Sequence, residues 1–296
     1  MQIYPKTSIM LLNKKSNYFK MSEIKITLPI ATPPWTSLGR RLESLCRKAL
    51  YTFEMLLDVD KVGIALSGGK DSLTLLYLLK ALSGRGFQKF SIHAFHVTGE
   101  FSCGSSISTN FLQGICEELK IPLILCKSTQ KRENLACYSC SRERRRLLFQ
   151  AAKEQGITTI AFGHHRDDSI QTLLMNLFHK AEFAANLPKI FMYDYGVTII
   201  RPLIYASEKE IVAFAKLHQF HRITCQCPVG QDSMRKQTEK LIDQIAEIYP
   251  NIRENLSLAS FAYASDKALK KGPLKKIDSQ KKDKFGLIVD KKMTTN

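Results

Sequence analysis

Apolar residues along this chain fall into short runs that alternate with longer stretches of helical period. Leu38, Leu42, Leu45, Leu50 and Phe53 recur on or near one face and predict an amphipathic helix from about Ser37 to Leu57. Val62 to Leu66 is too brief for a helix and predicts a buried strand, followed by a glycine turn and a helix from about Ser72 to Leu82 that Gly84 and Gly86 end. Further strands are predicted at Phe90 to Val97, Pro122 to Cys126 and Thr158 to Phe162, with helices near Ser106 to Leu119, Ser141 to Gln155 and Ser169 to Phe178. Strands spaced by helices imply an α/β fold: a doubly wound, mostly parallel sheet with right-handed crossovers.

After Phe178 the pattern changes. Ile190 to Tyr193 and Val197 to Ile200 flank Asp194-Tyr195-Gly196 and predict a hairpin. Ser207-Glu208-Lys209-Glu210 has the form of a capping box and opens a helix to about His218, with helical pattern continuing to about Tyr263. The organisation expected is an N-terminal extension over 1–36, an α/β domain over 37–205, a helical part over 206–264 and a basic tail over 265–296, the last expected to be disordered.

Length and composition sharpen this picture. With 296 residues, 44% of them hydrophobic, the chain can bury a real core. A formal charge of +17 points to a polyanionic partner, nucleic acid first; the stretch from Asp266 to Asn296 holds ten Lys against four Asp, which leaves about +11 elsewhere. No apolar run is long enough to span a membrane, so no membrane association is expected. Lys6, Lys14, Lys15 and Lys20 surround only a short apolar patch, which argues against a secretory signal and for a cytoplasmic protein; Met21 is a second candidate start. Eight cysteines are then read as thiols or metal ligands in place of a disulfide framework.

Three segments carry chemistry. Ser67-Gly68-Gly69-Lys70-Asp71-Ser72 joins a strand to a helix: glycines let backbone N–H groups close around phosphate, the helix start favours an anion, and Lys70 adds a counter-charge. It is not a Walker A loop, because Asp71 follows Lys70 where Ser or Thr is required. Cys137-Tyr138-Ser139-Cys140, just before the helix expected from Ser141, can hold one metal or the edge of a cluster, and Cys225 or Cys227 can supply a further thiolate. Gly163-His164-His165-Arg166-Asp167-Asp168 follows the fourth strand and so faces the same crevice; its carboxylates can bind Mg²⁺ or handle a proton, or simply cap a helix. Four arginines crowd the helix after Cys140, and Arg144, one turn on, is the candidate for a substrate or phosphate contact. The remaining histidines, His93, His96, His179, His218 and His221, show no ligand spacing, and Cys46, Cys103, Cys116 and Cys126 read as core or surface thiols.

The loop from Ser67 to Ser72 resembles the pyrophosphate loop of the PP-loop ATPases, which implies cleavage of ATP at the α-phosphate with Mg²⁺. Taken with Cys137-x-x-Cys140-Ser141-Arg142, Arg144-Arg145, Gly163 to Asp168, Gln171-Thr172, Arg201-Pro202-Leu203 and Cys225, the chain from about Ser37 to Tyr263 resembles the tRNA 2-thiocytidine synthetase family, TtcA. That resemblance implies nucleotide binding by Ser67 to Ser72 with Gly163 and His164, and catalytic roles for Lys70, Asp167, Asp168 and Arg144. It also implies a [4Fe–4S] cluster held by Cys137, Cys140 and Cys225, the last matched through Ile223-Thr224-Cys225, with one iron left open for sulfur. The partners it implies are tRNA, a cysteine desulfurase or other sulfur donor, and a second copy in a homodimer. Two departures stand out: His96-Val97-Thr98-Gly99-Glu100 replaces an acidic Leu-Asp-Gln context, and Cys225-x-Cys227 replaces a later Cys-x-x-Cys. The rival readings are a tRNA uridine thiolase, whose extra N-terminal cysteines are represented here only by Cys46, a lysidine synthetase, which needs no cluster, and a non-catalytic tRNA or nucleotide binder.

Overall fold

Val62 and Ile64 are fully buried because their strand runs through the interior of the sheet, and Leu66, just past its end, is buried with them. The computed structural model describes residues 28–99, 109–128, 137–220 and 234–263. In it β1 (Lys61–Ala65) lies between β2 (Ser91–Thr98) and β4 (Thr159–Ala161); β3 (Leu123–Lys127) lies beyond β2. On the other side β6 (Val197–Ile200) pairs with β4, and β5 (Lys189–Met192) forms the edge, giving the order β3-β2-β1-β4-β6-β5. All pairings are parallel except β5 with β6, the expected hairpin. The chain winds outward from β1 to β3 and then returns to β4, so the β1/β4 boundary is the switch point at which loops from two strand ends part and leave a crevice.

The helices follow from the apolar spacing. Helix α1 (Ser37–Thr52) buries Leu42, Cys46, Ala49 and Leu50, and Thr36 caps it by accepting the Gly39 N–H at 3.3 Å. Helix α2 (Lys70–Leu82) is apolar nearly all round because it is covered by α1 and by α6 (Glu208–Leu217) as well as by the sheet. Its Leu73, Leu75, Leu76, Leu78 and Leu79 are wholly buried, each contributing about 2 kcal/mol of transfer free energy. Helix α3 is Thr109–Glu118. Helix α4 (Cys137–Glu154) packs on β2 and β3, and its Phe149 ring lies 4.9 Å from Tyr195 of the hairpin turn. Helix α5 (Arg166–Lys180) packs against α7 (Met234–Ile248) and α8 (Ile252–Ala262) through Ile170, Leu174, Ile242 and Leu256.

Several boundaries differ from expectation. Helix α4 starts at Cys137, so the Cys-x-x-Cys forms its first turn where it was expected to precede the helix. Helix α5 starts at Arg166 and not Ser169, because His165 and Asp168 cap it reciprocally. Helix α1 stops at Thr52, after which Glu54 and Asp58 take left-handed backbone conformations. Residues 28–35, assigned above to the N-terminal extension, carry Ala31 and Trp35 into the core, and the Pro29 carbonyl accepts the Tyr77 hydroxyl at 2.7 Å. Cys46, Cys116 and Cys126 are core thiols, and burial raises the pKa of each, for Cys116 and Cys126 to about 11. Cys103, Cys225, Cys227, His221 and the basic tail lie outside the described residues. Among the described residues no helix is long and apolar enough to cross a membrane.

Candidate active site

The loop after β1 is held from both sides. Below it, the Leu66 N–H donates to Phe95 O at 2.8 Å, and buried His96 donates through Nδ1–H to the Leu66 carbonyl at 2.8 Å, which sets its tautomer because a carbonyl only accepts. Within it, Ser72 Oγ accepts from the Gly68 N–H at 3.1 Å and donates to the Gly69 carbonyl at 3.0 Å, while Ser67 Oγ accepts from the Gly69 N–H at 3.3 Å. Gly68 has φ 80°, a conformation that disfavours any side chain. Gly69 is the N-cap of α2, and no side chain caps the first-turn N–H groups, which therefore present donors and the positive end of the helix to the crevice.

The loop after β4 closes directly onto this turn. A Cβ on Gly163 would lie 2.9 Å from the Asp71 carbonyl carbon and 3.0 Å from the Ser72 nitrogen, so only glycine permits the approach. Here the helix start is closed. His165 Nδ1 accepts the Asp168 N–H at 3.4 Å and Asp168 Oδ2 accepts the His165 N–H at 3.2 Å. The other ring nitrogen, His165 Nε2, lies 3.4 Å from Asp168 Oδ2 and 3.8 Å from Asp71 Oδ1, bridging the two loops.

The two expected carboxylates part company. Asp167, with 5% of its side chain exposed, accepts from Arg253 at 2.8 Å and from the Glu208 N–H at 2.7 Å, tying α8 and α6 to α5. Asp168, 17% exposed, pairs with Arg235 at 2.8 Å. Burial works to raise the Asp168 pKa, but His165, His164 and Arg235 outweigh it and the net shift is downward. Asp71 shifts upward because burial outweighs the nearby His165 and Lys70. Lys70 stands between Asp71 and Glu208, each at 3.0 Å; burial opposes its charge, yet the two carboxylates raise its pKa.

His164 stacks on Phe162 and accepts from Arg201 Nε at 3.3 Å. Burial, then the Arg201 charge, lowers its pKa to about 3, so the ring is neutral at physiological pH. On α4, Cys140 is buried, and Arg144 is half-buried with its Nε shut off from water and without a hydrogen-bond partner among the described residues. Cys137 lies in the first turn of α4; its side chain and Cys225 are outside the described set, and among the described residues no three metal-ligating side chains converge. Sequence reasoning gave no role to Glu208, Arg235 or Arg253, since their contacts span 41 to 86 residues of chain. His165-x-x-Asp168 did carry a legible signal, the capping-box spacing with histidine in place of serine.

A mostly parallel sheet with an uncapped glycine-loop helix at its switch point defines an α/β protein of the phosphate-binding class. The chain belongs to the PP-loop domain family, whose model matches residues 37–224, and within it to the tRNA-cytidine(32) 2-sulfurtransferases. It is 37% identical over 226 residues to the enzyme so named from Coxiella burnetii, covering 73% of this chain and 87% of that one. It is 35% identical to that from Xanthomonas euvesicatoria, covering 75% of each. Among solved structures it resembles the U34-tRNA thiolase NcsA from Methanococcus maripaludis with its [4Fe–4S] cluster, at a TM-score of 0.61 and 21% identity, over 75% of this chain and 77% of that one.

Proposed function

We propose that this chain is an ATP-dependent tRNA thiolase that converts a cytidine of the anticodon loop, position 32 as in its relatives' name, to 2-thiocytidine. The observation that carries the reading is the contact of Gly163 with Asp71, which joins the open start of α2 to the β4–α5 loop at the switch point. Helix α4 follows the carboxyl end of β3, so its Cys-x-x-Cys opens at the same edge of the sheet.

The α2 start and the loop from Ser67 to Ser72 fit the phosphates of ATP, with Gly163 and His164 beside them and Lys70 as counter-charge. Asp168 and Asp71, which flank His165, are the carboxylates for Mg²⁺; Asp167 is engaged in holding α6 and α8 and acts through position. The cytidine C2 oxygen attacks the α-phosphorus and the bond to the β-phosphate oxygen breaks, releasing pyrophosphate. Sulfide then adds at C2 and AMP leaves with the original oxygen. Arg144, whose Nε lacks a partner among the described residues, contacts the substrate or its developing charge. Cys137, Cys140 and Cys225 would hold a [4Fe–4S] cluster, which supplies a site for the sulfur. The enzyme is cytoplasmic, and a cysteine desulfurase or another donor provides the sulfur.

The test is iron, zinc and labile-sulfide content with an absorption spectrum on protein purified without oxygen. Iron and sulfide should be lost in Cys137→Ala, Cys140→Ala and Cys225→Ala and kept in Cys227→Ala. Stoichiometric zinc, or no metal in the wild type, sinks the cluster and returns weight to a lysidine-type or non-thiolating enzyme.

A further inference from the structure

Lys70 is the first residue of α2, and its side chain is 24% exposed. A lysine ammonium rides on a flexible stem, but this one is held from two sides. Its Nζ donates to Asp71 Oδ1 and Oδ2 at 3.0 and 3.1 Å, and Glu208 Oε1 lies 3.0 Å from it. The two holders differ in what fixes them. Asp71 belongs to the same turn of helix as Lys70 and moves with it. Glu208 is the first residue of α6 and is anchored independently of that turn. Its N–H donates to buried Asp167 at 2.7 Å, Asp167 accepts in turn from Arg253 at 2.8 Å, and Ser207 caps the helix in a reciprocal box with Glu210.

These contacts bear on what Lys70 can do. An ammonium has three N–H donors; Asp71 and Glu208 account for two, and the third can meet a phosphate oxygen from a place already set. Burial opposes the charge on Lys70, and the two carboxylates more than restore it. In the reading given above, Asp71 is also a carboxylate for Mg²⁺, and an oxygen given to the ion is withdrawn from Lys70. Glu208 is then the partner that keeps the ammonium in place. A cation fixed beforehand acts most strongly where negative charge develops during the reaction, since nothing has to reorganise at that moment.

We propose that Glu208 is a positioning residue for the ATP-cleaving step: it holds the Lys70 ammonium where negative charge builds on the departing pyrophosphate. The start of α6 thereby becomes part of the nucleotide site. The inference rests on the reading of Ser67 to Ser72 as an ATP loop in a tRNA thiolase.

The test uses full-length, cluster-loaded wild type with Glu208→Gln, Glu208→Asp and Glu210→Gln. Pyrophosphate release in the presence of tRNA is followed against ATP concentration, and binding of a non-hydrolysable ATP analogue with Mg²⁺ is measured separately. Glu208→Gln keeps the shape and loses the charge, and kcat should fall about tenfold. KM for ATP and analogue affinity should change less than about threefold, because a slack lysine still reaches bound phosphate and one repelling carboxylate is gone. Glu208→Asp, charged but shorter, should recover part of kcat. Glu210→Gln loosens the α6 cap and its tie to Arg41 but leaves Glu208 charged, so kcat should stay within about twofold of wild type. Thermal melting checks folding; should Glu208→Gln fail to fold, a lowered kcat at unchanged KM in Glu208→Asp supports the role and an unchanged kcat overturns it. In folded Glu208→Gln an unchanged kcat overturns the proposal, reducing the contact with Lys70 to an ordinary ion pair. An equal loss in Glu210→Gln also overturns it, since α6 would then only need to be held in place. Tighter analogue binding at full kcat overturns it by making Glu208 a rival of phosphate for Lys70. A wild type that does not bind the analogue overturns the ATP-loop reading, and one that binds it without releasing pyrophosphate overturns the thiolase reading; the role of Glu208 falls with either.

Discussion

Two helix starts meet at the switch point, and they are built in opposite ways. Helix α2 begins at Gly69 with no side-chain cap, and its N–H groups are left to the crevice. Just beyond Gly163, which packs on the first turn of α2, α5 begins inside a reciprocal box of His165 and Asp168 and is further tied by Arg235. Adjacent Asp167 adds ties to Arg253 and the Glu208 N–H. An uncapped helix start has unmet hydrogen-bonding capacity and favourable partial charge for an anion; a closed one has neither to offer. In the function proposed above, the open start receives the phosphates while the closed start, joined to it through Gly163 and Asp71, holds its carboxylates beside it.

Breaking the closed side should have the largest effect. Arg253→Ala removes the charge paired with buried Asp167 and is expected to destabilise the fold by about 3–5 kcal/mol, read as a lower denaturation midpoint, with Arg253→Lys recovering part. Next is conversion of the open start into a closed one. The Gly69 backbone is already extended, and a Cβ there meets nothing nearer than Ser67 Oγ at 3.5 Å, so Gly69→Asp can cap α2. The variant should be more stable by a few tenths of a kcal/mol while ATP affinity falls by about 100-fold, because a carboxylate would stand where the proposed site receives phosphates. A loss of both stability and affinity would show that Gly69 is needed only for backbone shape.

Gly163→Ala probes the seam between the two starts. Its methyl group must push the Asp71 and Ser72 backbone away, and ATP turnover should drop about tenfold with the melting temperature lowered by only a few degrees. Near neutral pH the smallest effect is that of pH itself, and it grows as the solution is acidified. His164 is neutral when folded, with a pKa of about 3 against 6.5 when unfolded, so between these values the unfolded state binds more protons and stability falls as pH falls. Asp168, lowered in the folded state, also loses its contribution on acidification. Denaturation midpoints should decline from about pH 6.5 downward, at most about 1.4 kcal/mol per pH unit for His164, and His164→Asn should flatten that decline.

Much of this arrangement was readable before any coordinates. The run from Val62 to Leu66, two glycines and a leucine-rich stretch can hardly form anything but strand, turn and buried helix, and Asp194-Tyr195-Gly196 marked the hairpin. What escaped was long-range. Apolar spacing does not say that β6 pairs with β4 and leaves β5 at the edge, since both strands of the hairpin carry similar residues. Arg235 and Arg253 read as ordinary surface charges on amphipathic helices until the fold sets them against Asp168 and Asp167. The start of α4 was missed because Cys137-Tyr138-Ser139-Cys140 has no apolar period, and that of α5 because His-Arg-Asp-Asp reads as a loop unless histidine is allowed as a cap.

The most direct test is mass spectrometry of the nucleosides of tRNA incubated without oxygen with cluster-loaded protein, ATP, Mg²⁺ and sulfide. The account predicts 2-thiocytidine, formed only with ATP, matched by AMP and pyrophosphate, and absent with Lys70→Ala. Sulfur appearing in uridine, or AMP accumulating while every cytidine keeps its oxygen, would contradict it.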